Sequence, residues 1–229
     1  MKLRRRDPTH VHPIGFHDLL RDLEFRGCCV CSGATRSSRR YLDSLLWEFV
    51  TDGGIRTRLR AGHGFCREHT FLAIEVARAH AGDAGLAALY EDFLEHIRHH
   101  ILDLRSPHRS ARFRPGKRVE ILIKPELPCR ACESESGAVR AYLTILAHRG
   151  RYPEIETALE ASRRGLCIPH LERGLTMFAD AEPRAALVAL YLKFEEELRA
   201  DLRDFIRKRD YRFQDEPRGL EQESWWRAP

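Results

Sequence analysis

The amino-acid sequence predicts an all-α protein in which one helical bundle occurs twice, and three observations carry that expectation. The pattern C-x2-C-x34-C-x2-H runs from Cys28 to His69 and recurs, with the same spacings, from Cys129 to His170. The similarity extends past these positions at the same offset of 101: Tyr41, Leu42 and Leu45 match Tyr142, Leu143 and Leu146, and Leu86, Leu89, Tyr90 and Phe93 match Leu187, Leu190, Tyr191 and Phe194. Apolar residues step by one and three wherever they cluster, which is the helical period. A repeat of this length is a duplicated domain, because solenoid repeats are shorter.

Each helix has its own justification. Tyr41, Leu42, Leu45, Leu46, Phe49 and Val50 form one amphipathic stripe, ended by the glycines of "TDGG". A shorter helix follows from Ile55 to Arg60, closed by "AGHG", and its counterpart "PEIETALEASRRG" opens on Pro153, a favourable first-turn residue. A third helix starts at each C-x2-H and runs to about His80 in the first copy. A fourth, Asp83 to Leu104, lines Leu86, Leu89, Tyr90, Phe93, Ile97, Ile101 and Leu104 along one face. Such a stripe needs a partner surface, so each copy should form a small bundle. The predicted organisation is an N-terminal arm and short helix over 1–27, a first repeat over 28–105, a basic linker over 106–128, a second repeat over 129–206 and a C-terminal tail over 207–229. The "VEILIK" core of the linker is expected to form at most one short strand or extended segment.

With 43% hydrophobic and 32% charged residues, the chain has the composition of a folded protein and not of a disordered tail. No apolar run reaches the roughly 18 residues needed to span a bilayer, and the N-terminal stretch lacks an apolar signal core. We therefore expect a cytoplasmic protein with reduced thiols. Seven cysteines in that setting favour metal ligation over disulfides. The net charge of +5 is modest, and only five of the 39 basic residues are lysine. This arginine bias reads as a solvated surface.

Cys28, Cys31, Cys66 and His69 form one expected ligand set, and Cys129, Cys132, Cys167 and His170 the other. Three thiolates and an imidazole complete a tetrahedral zinc site and leave no position open for water, which is the composition of structural zinc. Two structural Zn2+ ions per chain are thus expected, each stapling the open end of a helical hairpin within one repeat. An iron–sulfur cluster on the same ligands is the weaker alternative, since histidine ligation is the minority there. Cys29 aligns with Arg130 and is read as a spectator. Asp92, Glu95, His96 and His99 share a helix face that a further open metal site would require. The second copy has Glu197 and Ala200 opposite His96 and His99, so a solvated face is the simpler expectation. "HVH" at His10 to His12 reads as an exposed arm. No phosphate-binding loop, dinucleotide fingerprint or nucleophile elbow is present, and no residue is nominated as catalytic.

The arrangement "CCVC … RYLDSLLWEFV … GHGFCREH … LYEDFLEH", followed by "KRDYRFQDEPRGLEQESW", resembles a bacterial family with tandem C-x2-C and G-[FL]-C-x2-H motifs and no assigned activity. The resemblance implies the same ligands and a meaningful tail. The expected function is a non-enzymatic zinc-binding adaptor or regulator with a protein partner and no membrane association. Nucleic-acid binding through "KLRRR" and "RSPHRSARFRPGKR" is one alternative, and a metalloenzyme using Glu95, His96 and His99 is another.

Overall fold

The computed structural model describes residues 12–24, 27–104, 124–162, 164–213 and 215–227. Helices dominate these residues, and the all-α expectation holds. In chain order they are α1 (Phe16–Asp22), α2 (Cys29–Glu48), α3 (Gly53–Ala61), α4 (Arg67–Ala79), α5 (Asp83–Leu104), α6 (Arg130–Ala147), α7 (Pro153–Ala161), α8 (Ile168–Met177), α9 (Ala181–Arg207) and α10 (Ser224–Arg227). Two residue pairs, β1 (Gly27–Cys28) and β2 (Arg164–Gly165), form a parallel ladder, with Gly27 opposite Arg164 and Cys28 opposite Gly165. No described helix is long and apolar enough to cross a membrane. The basic arm and nearly all of the linker, including "VEIL", lie outside the described residues.

The compact units do not follow the repeat boundaries. One unit is Met1–Ala34 with Gly137–Pro229, and the other is Thr35–Ser136. This corrects the division into repeats 28–105 and 129–206. The reason lies in α2. Its apolar stripe begins only at Tyr41, yet the helix extends back to Cys29 through the polar run "CVCSGATRSSRR". Its 20 residues span about 30 Å and cross from one unit into the other, so the C-x2-C at its start and the C-x2-H after α3 belong to different units.

In the unit of Thr35–Ser136, Leu42, Leu45 and Leu46 of α2 pack with Leu59 of α3, Ala73 and Val76 of α4, and Leu86 and Leu89 of α5. The predicted α5 stripe is buried only in its first half, and Ile101 is 54% exposed. Asp92 is claimed by Arg56 and Arg60, which bond it from α3. Those arginines hold its carboxyl below the usual carboxylate range. Asp52 caps α3, its side chain accepting from the Ile55 N–H at 2.8 Å.

In the other unit, α1 places Phe16, Leu19 and Leu23 in a core with Tyr142, Ile145 and Leu146 of α6, Ile155 and Leu159 of α7, and Leu187 and Leu190 of α9. The burial pattern also refines the alignment. Ile55 and Leu59 of α3 correspond to Ile155 and Leu159 of α7, an offset of 100. The turn before the second C-x2-H restores the missing residue.

The tail belongs to this unit. Arg227, almost fully buried, donates to Asp201 Oδ2 of α9 at 2.7 Å. Lys208 bridges Asp204 and Glu221, each at 3.0 Å. Glu221 also accepts from the Gly219 N–H, and these two donors hold its carboxyl down to about 2. The tail folds back along the helix that precedes it.

Candidate metal centres

Ligand geometry begins with the helix starts. Cys66 and Cys167 are the N-cap residues of α4 and α8, with extended backbone, and His69 and His170 are the third residues of those helices. An N-cap side chain and the third helical residue face each other, as they do in a capping box. This is why C-x2-H closes so tightly: Sγ lies 3.1 Å from Nδ1 in both pairs. Cys28 and Cys129 each immediately precede a helix, and Cys31 and Cys132 lie in its first turn. Every ligand pair thus sits at a helix N-terminus, where the backbone dipoles favour thiolate.

The structure gathers these pairs crosswise. Cys28 and Cys31 meet Cys167 and His170, and Cys129 and Cys132 meet Cys66 and His69. All eight predicted residues are used, and the within-repeat pairing is corrected. Within each group the ligand atoms all lie within 4.8 Å of one another. In the first, Cys31 Sγ is 3.7 Å from Cys167 Sγ and 3.4 Å from His170 Nδ1, and Cys28 Sγ is 3.6 Å from His170 Nδ1. In the second, Cys66 Sγ is 3.6 Å from Cys132 Sγ, and His69 Nδ1 is 3.3 Å from Cys132 Sγ and 3.7 Å from Cys129 Sγ. Tetrahedral zinc, with Zn–S of about 2.3 Å and Zn–N of about 2.0 Å, spaces its ligands at about 3.8 Å for S···S and about 3.6 Å for S···N. Both groups fit a metal ion, and both present Nδ1.

Without a cation the thiols contend for protons. Hydrogen bonding with Cys167 and Cys28, then burial, pushes the Cys31 thiol up, while hydrogen bonding with Cys28 and then Cys31 holds Cys167 far below the usual thiol range. Burial first, then hydrogen bonding with Cys66, raises Cys132 to about 12. A bound dication supplies the positive charge that lets all three thiols of a group ionise.

The centres differ around their imidazoles. His69 Nε2 lies 3.1 Å from Glu135 Oε1, and Glu135 in turn accepts from the Ser38 hydroxyl at 3.1 Å. A carboxylate behind a ligating histidine fixes the ring's orientation and raises its basicity. At the first centre the corresponding residues are Ala34 and Val139, whose side chains carry no polar atom. Cys31 there is also exposed. The carboxylate and hydroxyl behind His69 are illegible in sequence, because Ser38 and Glu135 lie in different repeats and neither has a polar counterpart.

The glycine of G-[FL]-C-x2-H serves each centre differently. Gly64 adopts φ 81°, a left-handed turn that favours glycine. Gly165 lies in the β ladder against α9, where a Cβ would come within 2.2 Å of Phe194 Cβ. Pro128 occupies the place that Gly27 holds in β1. Lacking an N–H, it cannot reproduce the ladder, and Glu126 and Leu127 instead donate to the Ala61 carbonyl at 2.8 and 3.2 Å.

Cys29 stands outside both groups. It is fully buried in the core, with Sγ 3.8 Å from the Gly165 carbonyl. Among the described residues, the groups able to hold a metal are these two, and the Glu95, His96 and His99 face is not one of them. His99 donates from Nδ1 to the Glu95 carbonyl at 2.8 Å, and the His12 ring stacks on Phe16. No family model, curated protein or solved structure matches the chain.

Proposed function

We propose that the chain is a zinc-binding protein whose two Cys3His centres are structural and whose task is to bind another protein. The observation that carries this reading is the closed ligand set. Four protein atoms converge at tetrahedral spacing in each centre, which leaves no coordination position for substrate or water. Each ion joins segments far apart in sequence, with Cys31 and Cys167 separated by 136 residues and Cys66 and Cys132 by 66. Holding such segments together is a folding role. The second centre adds a carboxylate that fixes the orientation of its histidine. The cytoplasmic, non-enzymatic role and the resemblance to the bacterial tandem-motif family belong to the same proposal.

The test is metal analysis and denaturation of protein purified under reducing conditions. Two zinc ions per chain are expected, and Co2+ substitution should give the intense thiolate charge-transfer bands of tetrahedral sites. Strong chelation should remove both ions and abolish the cooperative melt. A brown iron chromophore, an absence of zinc, or an unchanged melt after complete metal removal would each overturn the structural-zinc reading.

A further inference from the structure

The two centres offer the same ligands but do not protect them equally. Of the seven cysteines Cys31 alone is exposed, and the three thiols of the His69 centre are all buried or half-buried. Behind His69 stand Glu135 and the Ser38 hydroxyl, whereas Ala34 and Val139 take the same places behind His170. The centre that lacks the carboxylate is therefore also the one whose sulfur meets solvent.

Cys31 has a second sulfur within reach. Its Sγ lies 3.7 Å from Cys167 Sγ, so a disulfide of about 2.0 Å needs the two to approach by roughly 1.7 Å. Both side chains lie at helix starts, Cys31 in the first turn of α2 and Cys167 at the N-cap of α8. Helix N-termini favour thiolate, which is the reactive form. The β ladder joins the chain just before Cys31 to the chain just before Cys167, which keeps the two thiols neighbours when no ion lies between them. Pro128 prevents such a ladder at the His69 centre. The neighbouring Cys29 keeps its sulfur on the Gly165 carbonyl.

We propose that the centre of Cys28, Cys31, Cys167 and His170 is a peroxide-sensitive switch. Oxidation of Cys31 gives a Cys31–Cys167 disulfide and frees the ion, while the His69 centre keeps its own. The Cys31 thiolate attacks one oxygen of hydrogen peroxide: an S–O bond forms, the O–O bond breaks and hydroxide leaves. The Cys167 thiolate then attacks the sulfenic sulfur, forming the S–S bond and expelling a second hydroxide. Peroxide takes up two electrons, one from each thiolate. Cys28 and His170 remain, too few for a closed tetrahedral set. The disulfide joins the same two segments that the ion joins, so the unit stays folded in both states, and a dithiol restores the thiolates by exchange. Disulfides in a reducing compartment are usually of this transient, sensing kind. The inference rests on the reading of both groups as zinc centres.

The test exposes full-length zinc-loaded protein, freed of reductant, to hydrogen peroxide in the presence of a chromophoric zinc indicator. Remaining thiols are then alkylated and mapped by mass spectrometry. One ion per chain should leave about tenfold faster or more than the other, with Cys31 joined to Cys167 and with Cys66, Cys129 and Cys132 alkylated. Dithiothreitol followed by zinc should restore both ions. Cys31→His offers a Cys2His2 set, another tetrahedral zinc composition, and should hold its ion at the dose that empties the unaltered centre. If that variant binds no zinc, the bridge map of the unaltered chain decides alone. Loss of both ions at one rate, a Cys28–Cys31 bridge, or sulfinic acid at Cys31 without a bridge would each overturn the switch. Zinc missing from the reduced protein strikes the structural-zinc reading instead, and is seen before any peroxide is added.

Discussion

The crosswise pairing of ligands makes a prediction that within-repeat pairing reverses. Replacing Cys28 and Cys167 together by serine disables one centre, so the protein should retain one zinc ion. Replacing Cys28 and Cys66 together disables both, and it should retain none. The geometry also sets a stability scale. An ion in the first group would close a loop of about 136 residues between Cys31 and Cys167, and one in the second a loop of about 66 between Cys66 and Cys132. By the chain-entropy relation for cross-links, closures of that size contribute about 5 and about 4 kcal/mol. For a chain of this length each kcal/mol moves the melting temperature by about 2–4 °C, so losing one centre should lower Tm by roughly 10–20 °C. The assay is native mass spectrometry for stoichiometry, with calorimetry on the same preparations. One ion retained by the Cys28/Cys66 variant and none by the Cys28/Cys167 variant would refute the pairing. Equal loss in both would mean that the centres do not fill independently.

Four further outcomes follow from particular contacts. Glu135→Gln should leave both centres intact in fold but weaken metal at the His69 centre by about 10- to 100-fold, because a histidine loses its carboxylate partner; competition with a chelator reads this directly. Cys29→Ser should keep two zinc ions per chain, since its thiol faces the Gly165 carbonyl and not the ligands, while Cys28→Ser should lose one. Arg227→Ala should destabilise the unit holding the tail by about 3 kcal/mol, because it leaves Asp201 in a largely buried position without that cation; urea denaturation followed by Trp225 and Trp226 fluorescence measures it. Glu221 is depressed in the folded state to about 2 from 4.5. The stability it adds is therefore present above about pH 4.5 and is lost as pH falls from there toward 2. Glu221→Gln should remove that part of the acid dependence and leave the neutral-pH melt lower and flatter across the same window.

Residue identity and spacing alone were enough to single out the eight candidate ligands and the helical class. A thiol or imidazole in a fixed local pattern is chemistry that survives any global arrangement, because a C-x2-H at a helix start faces one ion whatever lies beyond it. The stripe from Leu86 onward and the glycines after Val50 placed α5 and the end of α2 for the same local reason. Tertiary structure decided which pairs share an ion. That choice depends on α2 running unbroken through "CVCSGATRSSRR", a polar stretch with no apolar period to announce a helix, so that one helix belongs to both units. Register slips were equally hidden: the one-residue shift between α3 and α7 shows only in which side chains are buried. Glu135 behind His69 and the tail's Arg227 against Asp201 join residues distant in sequence through side chains that are ordinary surface types. Such contacts carry no sequence signature, because an arginine or glutamate acquires its role only from the low-polarity surroundings into which packing delivers it.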